Sequence, residues 1–282
     1  MIETLTELAQ LRDRVRGWKH AGLRVGFVPT MGNLHAGHQS LVRLAREQAD
    51  RVVASVFVNP TQFGPGEDYE RYPRTVASDV AALEEAGADA LWLPSVDTMY
   101  PHGMAGVVEV RVPVVTGILE GAHRPGHFDG VSTVVARLFN QVRPDIAVFG
   151  RKDYQQLAVI RYMVRDLAFP LELVAAPIVR EPDGLAMSSR NQYLSPTDRP
   201  LAAVIHGTLQ ALRGSILAGM PVGLAEAEAA AALAAAGLLV DYAVVRRRDL
   251  SEPTGDVTGP LVALVAARLG GTRLIDNLEF EG

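Results

Sequence analysis

Cysteine is absent from all 282 residues. Disulfides, thiolate metal sites, thioester intermediates and cysteine nucleophiles are thereby excluded, and a reducing cytoplasm is the compartment this fits. A basic excess is missing too. The chain has 27 Lys and Arg against 32 Asp and Glu, a formal charge of -5, without the positive footprint that concentrates a protein on nucleic acid or anionic membrane. Small molecules are the expected partners, with no nucleic acid and no membrane. Nor is there a long unbroken apolar run. The longest stretch, Leu224 to Val240, is alanine-rich and interrupted by Glu226 and Glu228, and reads as an ordinary helix. Glu3 and Glu7 stand where a signal peptide would need a continuous apolar core.

What is present is a globular composition, 48% hydrophobic and 21% charged, long enough for two domains. Short apolar runs alternate with helical patterns: Val25 to Val28, Ser40 to Ala49, Val52 to Val58, Val76 to Ala86 and Ala90 to Leu93. The alternation continues through Ser132 to Val142, Ile146 to Phe149, Tyr154 to Leu167 and Leu171 to Ala175. Strands that are apolar throughout belong in a parallel sheet covered on both faces. The fold class is therefore α/β: a Rossmann-like doubly wound parallel sheet over residues 1–176, then a smaller α+β domain over 177–282. In the latter, Ser195-Pro196-Thr197-Asp198 reads as an N-cap with proline at the first helical position, opening a helix toward Leu217. A second helix is expected from Leu224 to Ala236, then strands at Val240 to Val245, Leu261 to Ala267 and Arg273 to Ile275.

Ligands of parallel sheets bind beyond the carboxyl ends of the strands, and polar groups collect there. Pro29-Thr30-Met31-Gly32-Asn33-Leu34-His35-Ala36-Gly37-His38 is a strand-to-helix turn before a helical pattern that begins near Gln39. A helix N-terminus favours anions, phosphates above all. His35 and His38 admit three readings: surface turn, metal site or phosphate site. Zinc would need a third ligand and wider spacing, so the turn favours phosphate. Asn59 and Gln62 follow the second strand, as amides suited to orienting a carboxylate or hydroxyl. Residues 121–131, with His127 and Val131, form either a pocket wall or a capped loop feeding a core helix. Lys152, where a strand gives way to a helix, is either a phosphate-attracting cation or half of an exposed pair with Asp153. In Met187-Ser188-Ser189-Arg190, two hydroxyls beside a guanidinium suit a polyphosphate.

In this order, PTMGNLHAGH, VNPTQFGPGEDY, RPGHFDGVSTVV, LFNQVRPDIAVFGRKDYQQL, DGLAMSSRNQYL and TRLIDN closely resemble the pantoate-beta-alanine ligase family. HAGH is similar to the HIGH signature of the nucleotidyltransferase superfamily, and MSSR resembles its KMSKS loop with the lysines replaced. The resemblance implies an acid-amine ligase: pantoate and ATP give pantoyl adenylate and pyrophosphate, then beta-alanine gives pantothenate and AMP. It implies ATP contacts at Met31, Gly32, Asn33, Leu34, His35, Ala36, Gly37, His38, Gly150, Arg151, Lys152, Asp153, Val179, Met187, Ser188, Ser189 and Arg190. It implies His38 as general acid or electrostatic stabiliser, and charge neutralisation by His35, Lys152 and Arg190. Gln62 and Gln156 would hold pantoate, with Gln62 also near beta-alanine; Asn59, His127 and Val131 complete the expected substrate-binding set. Magnesium on the phosphates, without assignable protein ligands, a cytoplasmic homodimer and a C-terminal lid are implied as well. Asn33 departs from a common Ala, and Arg151 from a common Glu, a change expected to alter the charge around ATP. The rival readings are a superfamily adenylyltransferase that leaves AMP on its product, and a non-catalytic nucleotide-binding module.

Overall fold

The computed structural model describes residues 2–64, 66, 67, 69–254 and 257–282. Pro65 and Asp68, inside the stretch quoted after the second strand, lie outside the described residues, as do Met1, Gly255 and Asp256. Two compact units divide the chain, residues 1–150 with 159–177 and residues 151–158 with 178–282.

The first unit is built on β1 (Glu3–Leu5), α1 (Leu8–His20), β2 (Val25–Thr30), α2 (Ala36–Gln48), β3 (Arg51–Val56), α3 (Val76–Ala86) and β4 (Ala90–Trp92). Three short helices follow, α4 (Val96–Met99), α5 (Pro113–Thr116) and α6 (Glu120–His123), then α7 (His127–Val142), β5 (Ile146–Gly150), α8 (Tyr154–Asp166), whose residues 154–158 are counted with the second unit, and β6 (Glu172–Ala176). The six strands form one sheet, ordered β1-β4-β3-β2-β5-β6, with every pairing parallel. Successive strand residues face opposite ways. Val28, Val42, Ala54, Leu83, Leu91 and Val148 share one buried cluster. On α7, Phe139 packs edge-on against Phe27 and Phe149, and Gln141 accepts a bond from the Trp92 indole. Both faces are covered, which is why the strands read as continuous apolar runs. The order reverses between β2 and β5, and the crevice at such a switch point is where ligands of open α/β sheets bind.

The second unit holds α9 (Asp198–Ala202), α10 (Val204–Leu217), α11 (Val222–Ala235) and an antiparallel sheet of β7 (Leu239–Arg247), β8 (Pro260–Leu269) and β9 (Thr272–Glu281), with β8 central. Leu209, Leu212 and Ile216 of α10 meet Val245, Leu261 and Val265 in its core.

Several element boundaries differ from expectation. The first site helix starts at Ala36 rather than near Gln39, and α7 starts at His127, not Ser132. The second strand ends at Val56, since Pro60 opens a short 3-10 turn at 60–62. The expected cap at Ser195 is displaced: helix begins at Asp198 with Thr197 at the N-cap, leaving Pro196 outside. Ser195 still serves that end, accepting a bond from the Asp198 N–H. The helix does not run unbroken to Leu217. Ala203 donates to Pro200 three residues back, a tightened turn between α9 and α10.

Candidate functional site

In the first unit, β2 ends on Thr30, whose hydroxyl donates to the Ser55 carbonyl and accepts from the Gly32 N–H. Gly32 then turns with φ 85°; a Cβ there would lie 2.9 Å from an Asp79 carboxylate oxygen and 3.0 Å from Val56. Asn33 also has positive φ, a conformation Asn tolerates better than most residues. This turn is held from a distance. Asp79 on α3, 2% exposed, accepts from the N–H groups of Asn33 (3.2 Å) and Leu34 (2.9 Å) and from the Thr75 hydroxyl. Charged acceptors make the stronger class of hydrogen bond. Asp79 is thus a part of the site that the sequence reading did not single out.

The two histidines cap α2. The Gly37 N–H donates to Nδ1 of His35 (3.1 Å), and the His35 N–H donates to Nδ1 of His38 (3.3 Å). Their rings lie 4.1 Å apart between centroids. A ring nitrogen that accepts from a backbone N–H carries no proton, so each neutral imidazole keeps its hydrogen on Nε2. Ala36 and Gly37 form the first turn of the helix, where the dipole is positive. The positive end of the dipole at this turn suits phosphate oxygens.

Four of the expected substrate residues, Asn59, Gln62, His127 and Val131, also meet in this unit. Asn59, 1% exposed, donates to the Gln62 side-chain carbonyl (3.1 Å) and to the Gly130 carbonyl (3.2 Å), and accepts from the Tyr100 phenol (2.6 Å). The Gln62 amide nitrogen lies 2.9 Å from the Met31 sulfur, so the structure brings Gln62 beside the turn that follows β2. Helix α7 approaches so closely that a Cβ on Gly130 would fall 2.4 Å from the Thr61 carbonyl oxygen. Val131 beside it is buried.

His127 has both ring nitrogens on protein partners: Nδ1 lies 2.7 Å from the Gln62 carbonyl oxygen and Nε2 3.1 Å from Nη1 of Arg124. Arg124 in turn grips Glu67 through two bonds, 2.8 and 2.6 Å. A carbonyl only accepts and a guanidinium only donates, so His127 is neutral with its proton on Nδ1. Burial, reinforced by the Arg124 charge, pushes its pKa down to about 4. The ring therefore braces Gln62 and carries no charge near neutrality. The unfolded chain, with His near 6.5, binds the proton more readily. This contribution to stability is full above about 6.5 and is lost as pH falls toward about 4. Chemical denaturation at pH 7 and pH 5 should show wild type weakening, and His127→Gln losing part of that slope; an identical slope in the two proteins would contradict the assignment.

The second unit holds the other expected contacts. Gly150 ends β5 in the first unit; Arg151, Lys152 and Asp153 lead into α8, with Gln156 in its first turn. Arg151 is ion-paired with Glu279 at 2.7 Å. The charge expected to alter the nucleotide environment is thus matched within its own unit. Val179 and Met187 face each other in a hairpin, the Met187 N–H donating to the Val179 carbonyl (3.0 Å), with Arg180 bridged to Ala186. Ser188 caps the short turn 189–193, accepting from the Arg190 N–H (3.3 Å). Ser189 and Arg190 follow in that turn, both half-buried.

Among the described residues, no group of three or more His, Asp or Glu side chains is placed to hold a metal ion. No helix among them is long and apolar enough to cross a membrane.

The profile of one protein family, pantoate-beta-alanine ligase, matches residues 3–279. The pantothenate synthetase of Xanthomonas euvesicatoria pv. vesicatoria is 66% identical over 280 residues, covering 99% of this chain and 100% of that one. That of Xanthomonas axonopodis pv. citri is 65% identical with the same coverage. Among solved structures, pantothenate synthetase from Thermus thermophilus superposes with TM-score 0.89 at 51% identity, covering 98% of this chain and 99% of that chain. The pantoate-beta-alanine ligase of Francisella tularensis, complexed with beta-gamma ATP and beta-alanine, gives 0.82 at 32% identity, covering 99% and 97%.

Proposed function

The chain belongs to the pantoate-beta-alanine ligase family, and we propose which of its residues carry the reaction. The enzyme condenses pantoate with beta-alanine to form pantothenate, through a pantoyl adenylate, with release of pyrophosphate and AMP. A carboxylate resists attack by an amine, so adenylation comes first. A pantoate oxygen bonds to the α-phosphorus of ATP as the bond to the pyrophosphate oxygen breaks. The amine of beta-alanine then adds to the acyl carbon and AMP departs. No enzyme nucleophile is needed.

In the first unit we assign the ATP phosphates to Met31–His38 and Gly150. The observation that carries this is the pair of imidazoles capping the N-terminus of α2, each accepting a backbone N–H at Nδ1, at the positive end of the helix dipole. Full proton transfer from His38 would require an imidazolium whose Nδ1–H opposes the His35 N–H. His38 therefore acts as a hydrogen-bond donor to the developing charge rather than as a general acid, with His35 beside it. Gln62 holds pantoate and faces beta-alanine, with Asn59, His127 and Val131 shaping its surroundings. In the second unit we assign ATP to Arg151, Lys152, Asp153, Val179 and Met187–Arg190, and pantoate to Gln156. Lys152 and Arg190 neutralise charge on the leaving pyrophosphate. Magnesium, which the family resemblance implies, would accompany the nucleotide and supply charge neutralisation on its phosphates; no residue of this chain is assigned to it. A cytoplasmic homodimer belongs to the same reading and rests on family membership.

The test is pantoate-dependent exchange of labelled pyrophosphate into ATP, with AMP released only after beta-alanine is added. A superfamily adenylyltransferase that retains AMP on its product would release none. In the same assay Gln62→Ala should raise the KM for pantoate by roughly tenfold or more, the loss of one or two buried hydrogen bonds. An unchanged KM for pantoate removes Gln62 from the substrate site.

A further inference from the structure

One motif in the resemblance, Thr272 to Asn277, received no role from the sequence. In the second unit its last two residues join the two segments assigned to ATP there. The side-chain amide of Asn277 uses both hydrogens on consecutive carbonyls, those of Arg151 and Lys152, each at 2.9 Å. Its backbone N–H is turned onto the carboxylate of Asp276 (2.8 Å). That carboxylate receives Arg180 through two bonds, 2.6 and 3.0 Å, and Arg180 also donates to the carbonyls of Gly184 (3.0 Å) and Asn277 (3.3 Å). Arg180 sits in the hairpin whose far strand runs directly into Met187–Arg190. Asp276 and Asn277 are 4% and 2% exposed, so water does not compete for these bonds.

We infer that Asp276 and Asn277 are positioning residues for nucleotide binding, holding the main chain of Lys152 and the hairpin before Ser188 in one fixed relation. The inference rests on the assignment of Lys152 and Met187–Arg190 to ATP. Its logic is mechanical. A lysine ammonium rides on four rotatable carbons, so only its backbone origin can be set by the fold. Carbonyls 151 and 152 flank the Lys152 Cα and precede the first residue of α8, outside the helical ladder that would otherwise use them. A single rigid amide spanning both fixes that origin. The bidentate arginine-carboxylate pair, the most directional of the common ion pairs, ties it to the second segment.

The experiment compares Asn277→Ala, Lys152→Ala and their double variant in pyrophosphate exchange, with KM for ATP and for pantoate and the thermal midpoint of each. Asn277→Ala should raise the KM for ATP roughly tenfold, about 1.4 kcal/mol, and leave the KM for pantoate within about twofold. The double variant should lose no more exchange than Lys152→Ala alone, because Asn277 works through Lys152. An unchanged KM for ATP, an equal rise in both KM values, or additive losses would overturn the inference while leaving the site assignment standing. If Lys152→Ala keeps wild-type exchange and KM for ATP, the assignment itself fails and the inference with it. Should Asn277→Ala not fold, Asp276→Asn, which keeps size but weakens the hold on Arg180, is read by the same criteria.

Discussion

Replacing His38 by alanine should lower pantoyl adenylate formation by about 10²- to 10³-fold, the cost of removing one donor aimed at developing charge, while the protein stays folded. The side chain has two jobs at the α2 terminus, and they can be separated. Its Nδ1 accepts the His35 N–H, a capping interaction whose loss costs about 1 kcal/mol. Its Nε2–H is the donor assigned to phosphate. His38→Gln offers an acceptor to the same N–H, as Gln does in a capping box, without an imidazole donor. It should recover the thermal midpoint lost by the alanine variant but not the rate. Near wild-type exchange in His38→Ala would remove this residue from the chemistry.

The second large effect is expected at Asp79, which accepts from the main chain of the turn after β2 without being part of it. Asp79→Ala strips the acceptor from two main-chain N–H groups and a hydroxyl. Leaving buried donors unsatisfied costs about 1–3 kcal/mol each. At 2–4 °C per kcal/mol for a chain of roughly this size, a loss of about 3 kcal/mol lowers the thermal midpoint by about 6–12 °C. The turn from Met31 to Leu34 relaxes with it, so exchange should fall at least tenfold. Asp79→Asn retains one acceptor and should fall between. A variant with wild-type midpoint and wild-type exchange would show that Gly32 and the cap of α2 shape the turn unaided.

What the sequence made legible was what repeats. Val52 to Val58 read as a buried parallel strand because only Ser55 interrupts its apolar run, and the strand occupies Arg51–Val56; Val76 to Ala86 matches α3 residue for residue. β1 was missed because three residues at a sheet edge carry no period of their own; pairing with β4 makes them a strand. α1 escaped for a related reason, only Leu11 and Val15 being buried among charged neighbours. The polar architecture was harder. Asp79 looks like one more surface carboxylate on an amphipathic helix, and the amides it holds are 45 and 46 residues away. Arg180 and Asp276 stand 96 residues apart. Such pairings are created by topology and leave no spacing to read. Arg151 was noticed for its charge, but Glu279, which answers that charge, sits 128 positions later.

The way the two imidazoles are hung from the main chain also decides what they refuse. Coordinating a transition-metal ion through Nε2 requires that nitrogen to be bare, which sends the hydrogen to Nδ1. There it would point straight at an N–H that is already pointing back. A pair of neighbouring histidines that resembles a chelate in the bare sequence would, once folded, have to give up both capping bonds at the end of α2 to bind zinc or copper through Nε2.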